Sequence, residues 1–86
     1  MPWYVYILRC GDDTLYTGIT DDVPRRFKAH QNGKGAKYTR GRGPLTVAYT
    51  EEQPDKSAAL KREIAIKKLT RPQKEVLCAG WTENKK

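Results

Sequence analysis

Residues 3–19, WYVYILRCGDDTLYTGI, hold two short stretches rich in aromatic and β-branched side chains, one on each side of the Gly-Asp-Asp cluster at 11–13. Aromatic and β-branched residues favour strands, and glycine next to aspartate is typical of a tight turn. The pattern therefore predicts a β-hairpin with strands over 3–10 and 14–19. Alternation along the first strand directs its odd-numbered side chains to one face of the sheet and its even-numbered ones to the other.

The length of the turn decides which side chains share a face of this hairpin. A three-residue turn pairs Cys10 with Thr14. In that register Tyr6 and Tyr16 lie on the same face, whereas a two-residue turn places them on opposite faces. The sequence alone leaves both registers open, and a function that uses both tyrosines requires the first.

A helix is predicted to follow the hairpin directly. Asp21 or Asp22 is a suitable N-cap, and Pro24 falls in the first helical turn, where no amide hydrogen is needed. Asn32 and Gly33 form a typical stop at the C-terminal end. The helix is therefore expected between these two signals.

One face of this predicted helix carries a mixed set of side chains. Val23, Phe27 and His30 follow one another at helical spacing, and Arg26 lies beside them. Considered alone, His30 is interpreted as a packed or surface histidine, and Arg26 as an ordinary charged residue on a helix. Together with Tyr16, however, they place a phenol, a guanidinium and an imidazole around one strand-to-helix junction.

The rest of the chain predicts one loop and three more regular elements. The glycine-rich, basic stretch 33–43 favours an exposed loop and not a regular buried element. A third strand is expected over 44–50. Two helices are expected to follow, over about 55–69 and about 70–79, opened by Pro54-Asp55 and by Thr70-Arg71-Pro72.

These elements predict a small α/β domain of the α+β type, in which a three-stranded antiparallel sheet is flanked by about three helices. The 86 residues suffice for one domain, over residues 1–80, and the tail 81–86 is expected to be loose. No apolar run approaches the roughly 18 residues of a membrane span, so no membrane contact is expected. Cys10 and Cys78 lack CxxC or zinc-type spacing, which predicts reduced thiols and a cytoplasmic location.

The positive charge is concentrated in the middle of the chain. The net charge is +7, and residues 24–50 contain seven lysine and arginine side chains and no acid. The remaining ten basic side chains are matched by ten acidic ones. An uncompensated block of positive charge attracts phosphates and releases counterions on binding them, which predicts a polyanion-binding surface. A solvated basic loop that serves solubility is the alternative.

Taken as a whole, the chain resembles the GIY-YIG nuclease family over nearly its full length. Tyr4-Val5-Tyr6 takes the place of the GIY triplet, and Tyr16-Thr17-Gly18 takes the place of YIG, with Tyr16 ten residues after Tyr6. Arg26 falls where the family arginine stands, His30 falls where a histidine or tyrosine follows, and Glu63 matches the metal-binding glutamate. The basic loop looks especially like that of the small stand-alone bacterial YhbQ-like group. It is also similar to the catalytic subunit of eukaryotic structure-specific endonucleases.

The resemblance implies a metal-dependent nuclease that hydrolyses phosphodiester bonds, of DNA more than of RNA, and selects by structure more than by sequence. The catalytic residues that it implies are Tyr6, Tyr16, Arg26, His30 and Glu63. Glu63 would hold one Mg²⁺ or Mn²⁺, and Arg26 would stabilise negative charge on the phosphate. Tyr6 is the candidate general base, although the roles of Tyr6 and Tyr16 remain interchangeable at this stage.

The basic loop is the expected nucleic-acid-binding surface, through Lys34, Lys37, Tyr38, Arg40 and Arg42. A monomer is the favoured state. Two positions depart from the family pattern: Ile19 stands where some members carry a lysine, and Glu75 stands nearest to a common asparagine. Two other functions remain open, a nucleic-acid-binding module with feeble or lost catalysis and an interaction domain for an acidic protein.

Overall fold

The computed structural model describes residues 2–81, so most of the predicted loose tail lies outside the described residues. Three strands form one antiparallel sheet in the order β2-β1-β3, and three α-helices and one short 3₁₀ helix complete the fold. The expected sheet and helix content is confirmed. In chain order the elements are β1 (Trp3–Arg9), β2 (Leu15–Thr20), α1 (Val23–Gln31), a 3₁₀ helix (Lys37–Thr39), β3 (Thr46–Gln53), α2 (Lys56–Lys67) and α3 (Arg71–Ala79).

The hairpin adopts the register of the three-residue turn. Tyr6 pairs with Gly18 and Leu8 pairs with Tyr16 across the two strands. At the turn, the amide of Cys10 donates a hydrogen bond to the carbonyl of Thr14 at 2.8 Å. This register places Tyr6 and Tyr16 on the same face, as a site that uses both tyrosines requires.

The sheet buries two separate apolar clusters, one on each face. On the first face the side chains of Val5 and Ile7 pack against Ala59 and Ile66 of α2. α3 extends the cover of this face through Leu77. The sheet is thus anchored by this first cluster, and its second face is free to hold functional side chains.

The second face carries the side chains that matter for the site. Tyr6 and Leu8 of β1 are buried there with Leu45, and Phe27 of α1 packs against them. α1 begins where the sequence predicts it, because the Asp22 carboxylate accepts a hydrogen bond from the amide of Arg25 at 3.1 Å.

β3 differs from its predicted range of 44–50. It begins at Thr46 and continues to Gln53, since the Glu-Glu-Gln segment goes on pairing with β1 instead of turning away. Burial of the acidic Glu51 is offset because its carboxylate accepts a hydrogen bond from the hydroxyl of Tyr49 and pairs with the guanidinium of Arg62 at 3.0 Å. Sequence propensity alone marks such a polar segment as the end of a strand.

The basic stretch 33–43 is more ordered than predicted. It contains the 3₁₀ helix Lys37–Thr39, and the side chain of Thr39 is only 2% exposed. The loop is fastened to the hairpin turn, because the amide of Gly11 donates to the carbonyl of Arg42 at 2.5 Å. The stretch is largely exposed as expected, but the short 3₁₀ helix and the buried Thr39 were not expected.

Among the helices at residues 2–81, none has both the length and the apolar character needed to cross a membrane.

Candidate active site

Two buried polar side chains meet on the second face of the sheet. Tyr6 of β1 is 2% exposed and His30, in the last turn of α1, is 1% exposed. The Tyr6 hydroxyl and His30 Nε2 are 2.8 Å apart, which is hydrogen-bonding distance. Although His30 follows Phe27 on the packed face of α1, its imidazole thus has a polar partner supplied by the sheet.

Tyr16 completes a group of three rings with Tyr6 and His30. Its ring centroid lies 6.3 Å from that of Tyr6 and 5.2 Å from that of His30. These separations are typical of aromatic side chains in contact. The structure therefore brings together the two phenols and the imidazole that the sequence placed on separate elements.

Gly18 makes room for the Tyr6 hydroxyl. A Cβ atom at residue 18 would lie 2.7 Å from Tyr6 Oη and 3.1 Å from Tyr16 Cε2. The first separation is shorter than a van der Waals contact, so any larger side chain would displace the phenol. The glycine of the Tyr-Thr-Gly triplet is explained by this close approach and not by an unusual backbone angle.

Arg26 and Glu63 both lie within electrostatic reach of the Tyr6 hydroxyl. Burial raises the pKa of Tyr6 to about 12, while the neighbouring Arg26 guanidinium pulls it downward. Tyr16 and the negative charge of Glu63 push the same pKa upward. A side chain from α1 and one from α2 therefore both influence the charge state of the phenol on β1.

His30 is held in its neutral form. Burial lowers the pKa of its imidazole, and the positive charge of Arg26 lowers it further. Its Nδ1 atom lies 2.8 Å from the hydroxyl oxygen of Thr39, and its Nε2 atom faces Tyr6. Both ring nitrogens are thus engaged within the protein interior.

Glu63 offers a single carboxylate to a metal ion. Its side chain is 16% exposed, and one carboxylate oxygen is 3.3 Å from the ammonium of Lys67. Within residues 2–81 no cluster of three or more histidine, cysteine or acidic side chains is placed to hold a metal. One carboxylate fits Mg²⁺ or Mn²⁺ bound mainly through water and substrate phosphate, but not a metal that requires a full set of protein ligands.

The basic loop presents three free-standing cations next to the ring cluster. Lys34, Lys37 and Arg40 are exposed, and within the described part of the chain none of them forms an ion pair. Tyr38 lies between them, 41% exposed, with its ring stacked on Tyr16 at a centroid distance of 5.8 Å. The loop therefore extends the site from the buried rings to a positively charged surface.

Arg42 has a different set of contacts from the other loop cations. Its guanidinium pairs with Asp12 of the hairpin turn at 2.5 Å, and its Nε donates to the carbonyl of Tyr38 at 2.6 Å. The same group lies over the Tyr38 ring, 4.4 Å from its centroid. Arg42 thus fastens the loop to the hairpin, and its contact with a phosphate stays a prediction.

Sequence reasoning missed two residues next to the imidazole. Thr39 contacts His30 Nδ1, and a Cβ atom at Gly35 would lie 2.2 Å from the same nitrogen. A threonine and a glycine in a glycine-rich basic loop carry no periodic signal, so only the fold reveals their proximity to the imidazole. The tight approach of Gly35 resembles that of Gly18 on the other side of the ring cluster.

The two departures from the family pattern have structural roles. Ile19 packs into the apolar cluster on the first face. Glu75 pairs with Arg9 at 2.6 Å and with Arg71 at 2.8 Å, which joins α3 to β1. The cluster of Arg9, Arg71, Glu75 and Asp13 is therefore a structural ion-pair network.

The fold and the site together define a family. The family model described as the GIY-YIG catalytic domain matches residues 2–76. The chain belongs to the GIY-YIG family, a nuclease superfamily.

Comparison with individual proteins places the chain in the small stand-alone YhbQ-like group of this family. The UPF0213 protein of Citrobacter koseri is 55% identical over 76 residues, which covers 88% of this chain and 76% of the relative. The UPF0213 protein YhbQ of Escherichia coli is 54% identical over 78 residues, with coverage of 91% and 78%.

Two solution structures share the fold. The UPF0213 protein BH0048 from Bacillus halodurans is 49% identical with a TM-score of 0.62, covering 98% of this chain and 89% of that one. Protein EF2693 from E. faecalis is 44% identical with a TM-score of 0.62, covering 88% and 81%. The expected membership in the YhbQ-like group is confirmed, and the names of these relatives state no activity.

Proposed function

We propose that the protein is a metal-dependent nuclease that hydrolyses phosphodiester bonds of DNA and selects its substrate by structure and not by sequence. The observation that carries the proposal is the buried Tyr6–His30 hydrogen bond, whose phenol lies within electrostatic range of Arg26 on α1 and Glu63 on α2. We also propose that the protein acts as a monomer in the cytoplasm, where the free Cys10 and Cys78 stay reduced.

The Tyr6–His30 pair supplies the proton transfer. Because the pKa of Tyr6 is raised to about 12, its phenol is protonated at neutral pH and cannot act as a preformed base. The neutral imidazole beside it can accept the phenolic proton through Nε2. Tyr6 therefore takes a proton from the attacking water as it passes its own proton to His30.

The bond changes follow from this transfer. The water oxygen attacks phosphorus, and its proton moves to the Tyr6 oxygen. The bond between phosphorus and the leaving oxygen then breaks, and that oxygen takes a proton from solvent. Arg26, exposed on α1 beside the phenol, holds the phosphate and stabilises the negative charge that builds up on it.

Glu63 is the protein group that would bind the divalent cation. Its carboxylate would exchange the ammonium of Lys67 for Mg²⁺ or Mn²⁺. When bound, such an ion supplies Lewis acidity at the phosphate. Lys34, Lys37 and Arg40 would contact the backbone phosphates on either side of the cleaved bond.

A cleavage assay tests the proposal. Supercoiled plasmid and labelled branched, single-stranded and RNA substrates are incubated with protein in Mn²⁺ or in EDTA. We expect cleavage only with the metal, a loss of about 100-fold for Arg26→Ala, and activity at the EDTA level for Glu63→Gln. Equal activity of the wild type and Glu63→Gln would refute the nuclease assignment.

Matched variants separate a loss of chemistry from a loss of charge. Glu52→Gln removes an exposed carboxylate on β3. Arg25→Ala removes the arginine next to Arg26; Arg25 pairs with Asp21 and Asp22. Both variants should cleave as the wild type does. A loss in either control equal to that of its partner would point to general electrostatics and contradict the assigned roles.

A binding module with feeble catalysis is the second candidate. The high pKa of Tyr6 and the pairing of Glu63 with Lys67 favour it, because both describe a site that is not primed for reaction. On this reading the protein binds branched or single-stranded nucleic acid equally well with or without the Glu63→Gln substitution, and no substrate is cut. Binding measured by fluorescence anisotropy, together with the cleavage assay in the same buffers, distinguishes the two functions, because only the nuclease cuts the substrate that it binds.

A further inference from the structure

The imidazole of His30 lies in the middle of a chain of hydrogen bonds that ends in the basic loop. Tyr6 Oη is 2.8 Å from Nε2, and Nδ1 is 2.8 Å from Thr39 Oγ1. The Thr39 hydroxyl in turn donates to the carbonyl of Ala36 at 2.9 Å. The side chains of Tyr6, His30 and Thr39 are all buried, so solvent does not compete for these hydrogen bonds.

Which groups donate and which accept in these hydrogen bonds depends on the single hydrogen of the Thr39 hydroxyl. When the Thr39 hydroxyl donates its hydrogen to the carbonyl of Ala36, its oxygen can only accept from the imidazole. In that arrangement Nδ1 carries the proton of the neutral ring, and Nε2 is a bare acceptor toward Tyr6.

A second contact competes with this arrangement. The backbone amide of Ala36 points at Nδ1 from 3.3 Å and would donate to it if that nitrogen were bare. The Thr39 contact is shorter at 2.8 Å, and with the hydroxyl hydrogen on the Ala36 carbonyl it requires the opposite proton position. The side chain of residue 39 therefore decides between two tautomers of His30.

We propose that Thr39 is a positioning residue, which fixes His30 in the Nδ1–H tautomer so that Nε2 is free to receive the proton of Tyr6. Thr39 is buried, so it acts only through His30. Its effect on catalysis rests on the proposed nuclease function, whereas its effect on the tautomer does not. The basic loop thereby contributes to proton transfer as well as to nucleic-acid binding.

The proton position can be observed directly, because His30 is the only histidine of the chain. The protein is labelled with ¹⁵N-histidine, and long-range ¹H–¹⁵N correlation spectra are recorded at neutral pH. In the wild type we expect a pyrrole-type Nδ1 and a pyridine-type Nε2. Thr39→Val, which keeps the shape but lacks the hydroxyl, should exchange the two signals as Ala36 becomes the donor to Nδ1.

Thr39→Ser provides the conservative rescue. It retains the hydroxyl and should retain the wild-type tautomer. A wild-type spectrum with the proton on Nε2 overturns the proposal without any variant, so a Thr39→Val protein that fails to fold does not protect it. An unchanged tautomer in folded Thr39→Val overturns it as well.

Cleavage kinetics give the second readout. Thr39→Val should lower kcat by about 100-fold or more with KM unchanged, because general-base catalysis contributes about 10²- to 10⁴-fold. Thr39→Ser should recover most of the rate. If the tautomer changes as expected but the wild type cleaves nothing, the positioning role stands and the proposed function fails. If the tautomer changes and kcat does not, the catalytic part of the proposal is refuted.

Discussion

The ring of Tyr38 stacks on the ring of Tyr16, with centroids 5.8 Å apart and an angle of 29° between their planes. Tyr38 belongs to the basic loop and Tyr16 to the hairpin, and Arg42 holds the first ring in place from the loop side. The basic loop, which is expected to bind nucleic acid, therefore packs directly against the ring cluster that is expected to be catalytic. Changes in the loop should therefore be felt at the site.

Substitution of Tyr38 tests this coupling. Tyr38→Ala removes the stacked ring and should lower the free energy of unfolding by about 1 kcal/mol, the typical strength of an aromatic pair. It should also weaken both cleavage and binding. Tyr38→Phe retains the ring and should resemble the wild type in urea unfolding and in cleavage. Equal losses in the two variants would show that the hydroxyl matters and the stacking does not.

Gly18→Ala should disturb the contact between the Tyr6 phenol and His30. The added methyl group would lie 2.7 Å from Tyr6 Oη, so the phenol must shift and its 2.8 Å hydrogen bond with His30 is disturbed. We expect about 100-fold slower cleavage with a retained fold, checked by circular dichroism and a plasmid assay. Gly80→Ala is the matched control, since a Cβ atom there has its nearest contact at 3.6 Å. Full activity of Gly18→Ala would contradict the role given to the Tyr6–His30 hydrogen bond.

Much of the fold follows from local signals in the sequence. Alternation in β1 predicts which side chains are buried on each face, and Asp22 and Asp55 mark the starts of two helices through their capping hydrogen bonds. These features depend on residues a few positions apart. They are therefore visible without a structure.

What could not be predicted depends on contacts distant in sequence. The hairpin register was left open because it is set by the turn and the sheet together, and the end of β3 was misjudged because Glu51 is stabilised by Arg62 of the next helix. Thr39 was missed for the same reason, as its partner His30 lies on another element. The resemblance to a family supplied Glu63, which periodicity alone did not single out.

The pKa of His30 should depend on the positive charge of Arg26. Since burial and Arg26 both lower its pKa, we expect a midpoint below 6.5 in an NMR titration. Any contribution of this residue to stability is complete above pH 6.5 and is lost as the pH falls through the lower folded-state pKa. Arg26→Ala should raise the midpoint toward 6.5, and Arg25→Ala should leave it unchanged. Identical shifts in the two variants would show that Arg26 is not the arginine close to the ring.

The salt dependence of binding should identify the loop as the phosphate-contacting surface. About four to six phosphate contacts predict a slope of roughly −3 to −5 in a plot of log affinity against log salt. The combined variant Lys34→Ala, Lys37→Ala and Arg40→Ala should reduce the steepness by about 2 to 3. The control removes the same charge from α2 and its C-terminal end, through Lys56, Lys61 and Lys68, which are exposed. An equal reduction in the control would contradict the assignment to the loop.

Glu75 should link stability to acidic pH. Its pairing with Arg9, and then with Arg71, lowers its pKa from 4.5 to about 2. A carboxylate with a lowered folded-state pKa binds its proton less readily than in the unfolded chain, so its contribution to stability is complete above pH 4.5 and is lost as the pH falls from 4.5 toward 2. Glu75→Gln should be less stable than the wild type at pH 6, and the difference should shrink through that window. Urea unfolding at several pH values measures it, with Glu52→Gln as an exposed-carboxylate control. A difference that stays constant from pH 6 to pH 2 would mean that the network of Arg9 and Arg71 does not depend on the charge of Glu75.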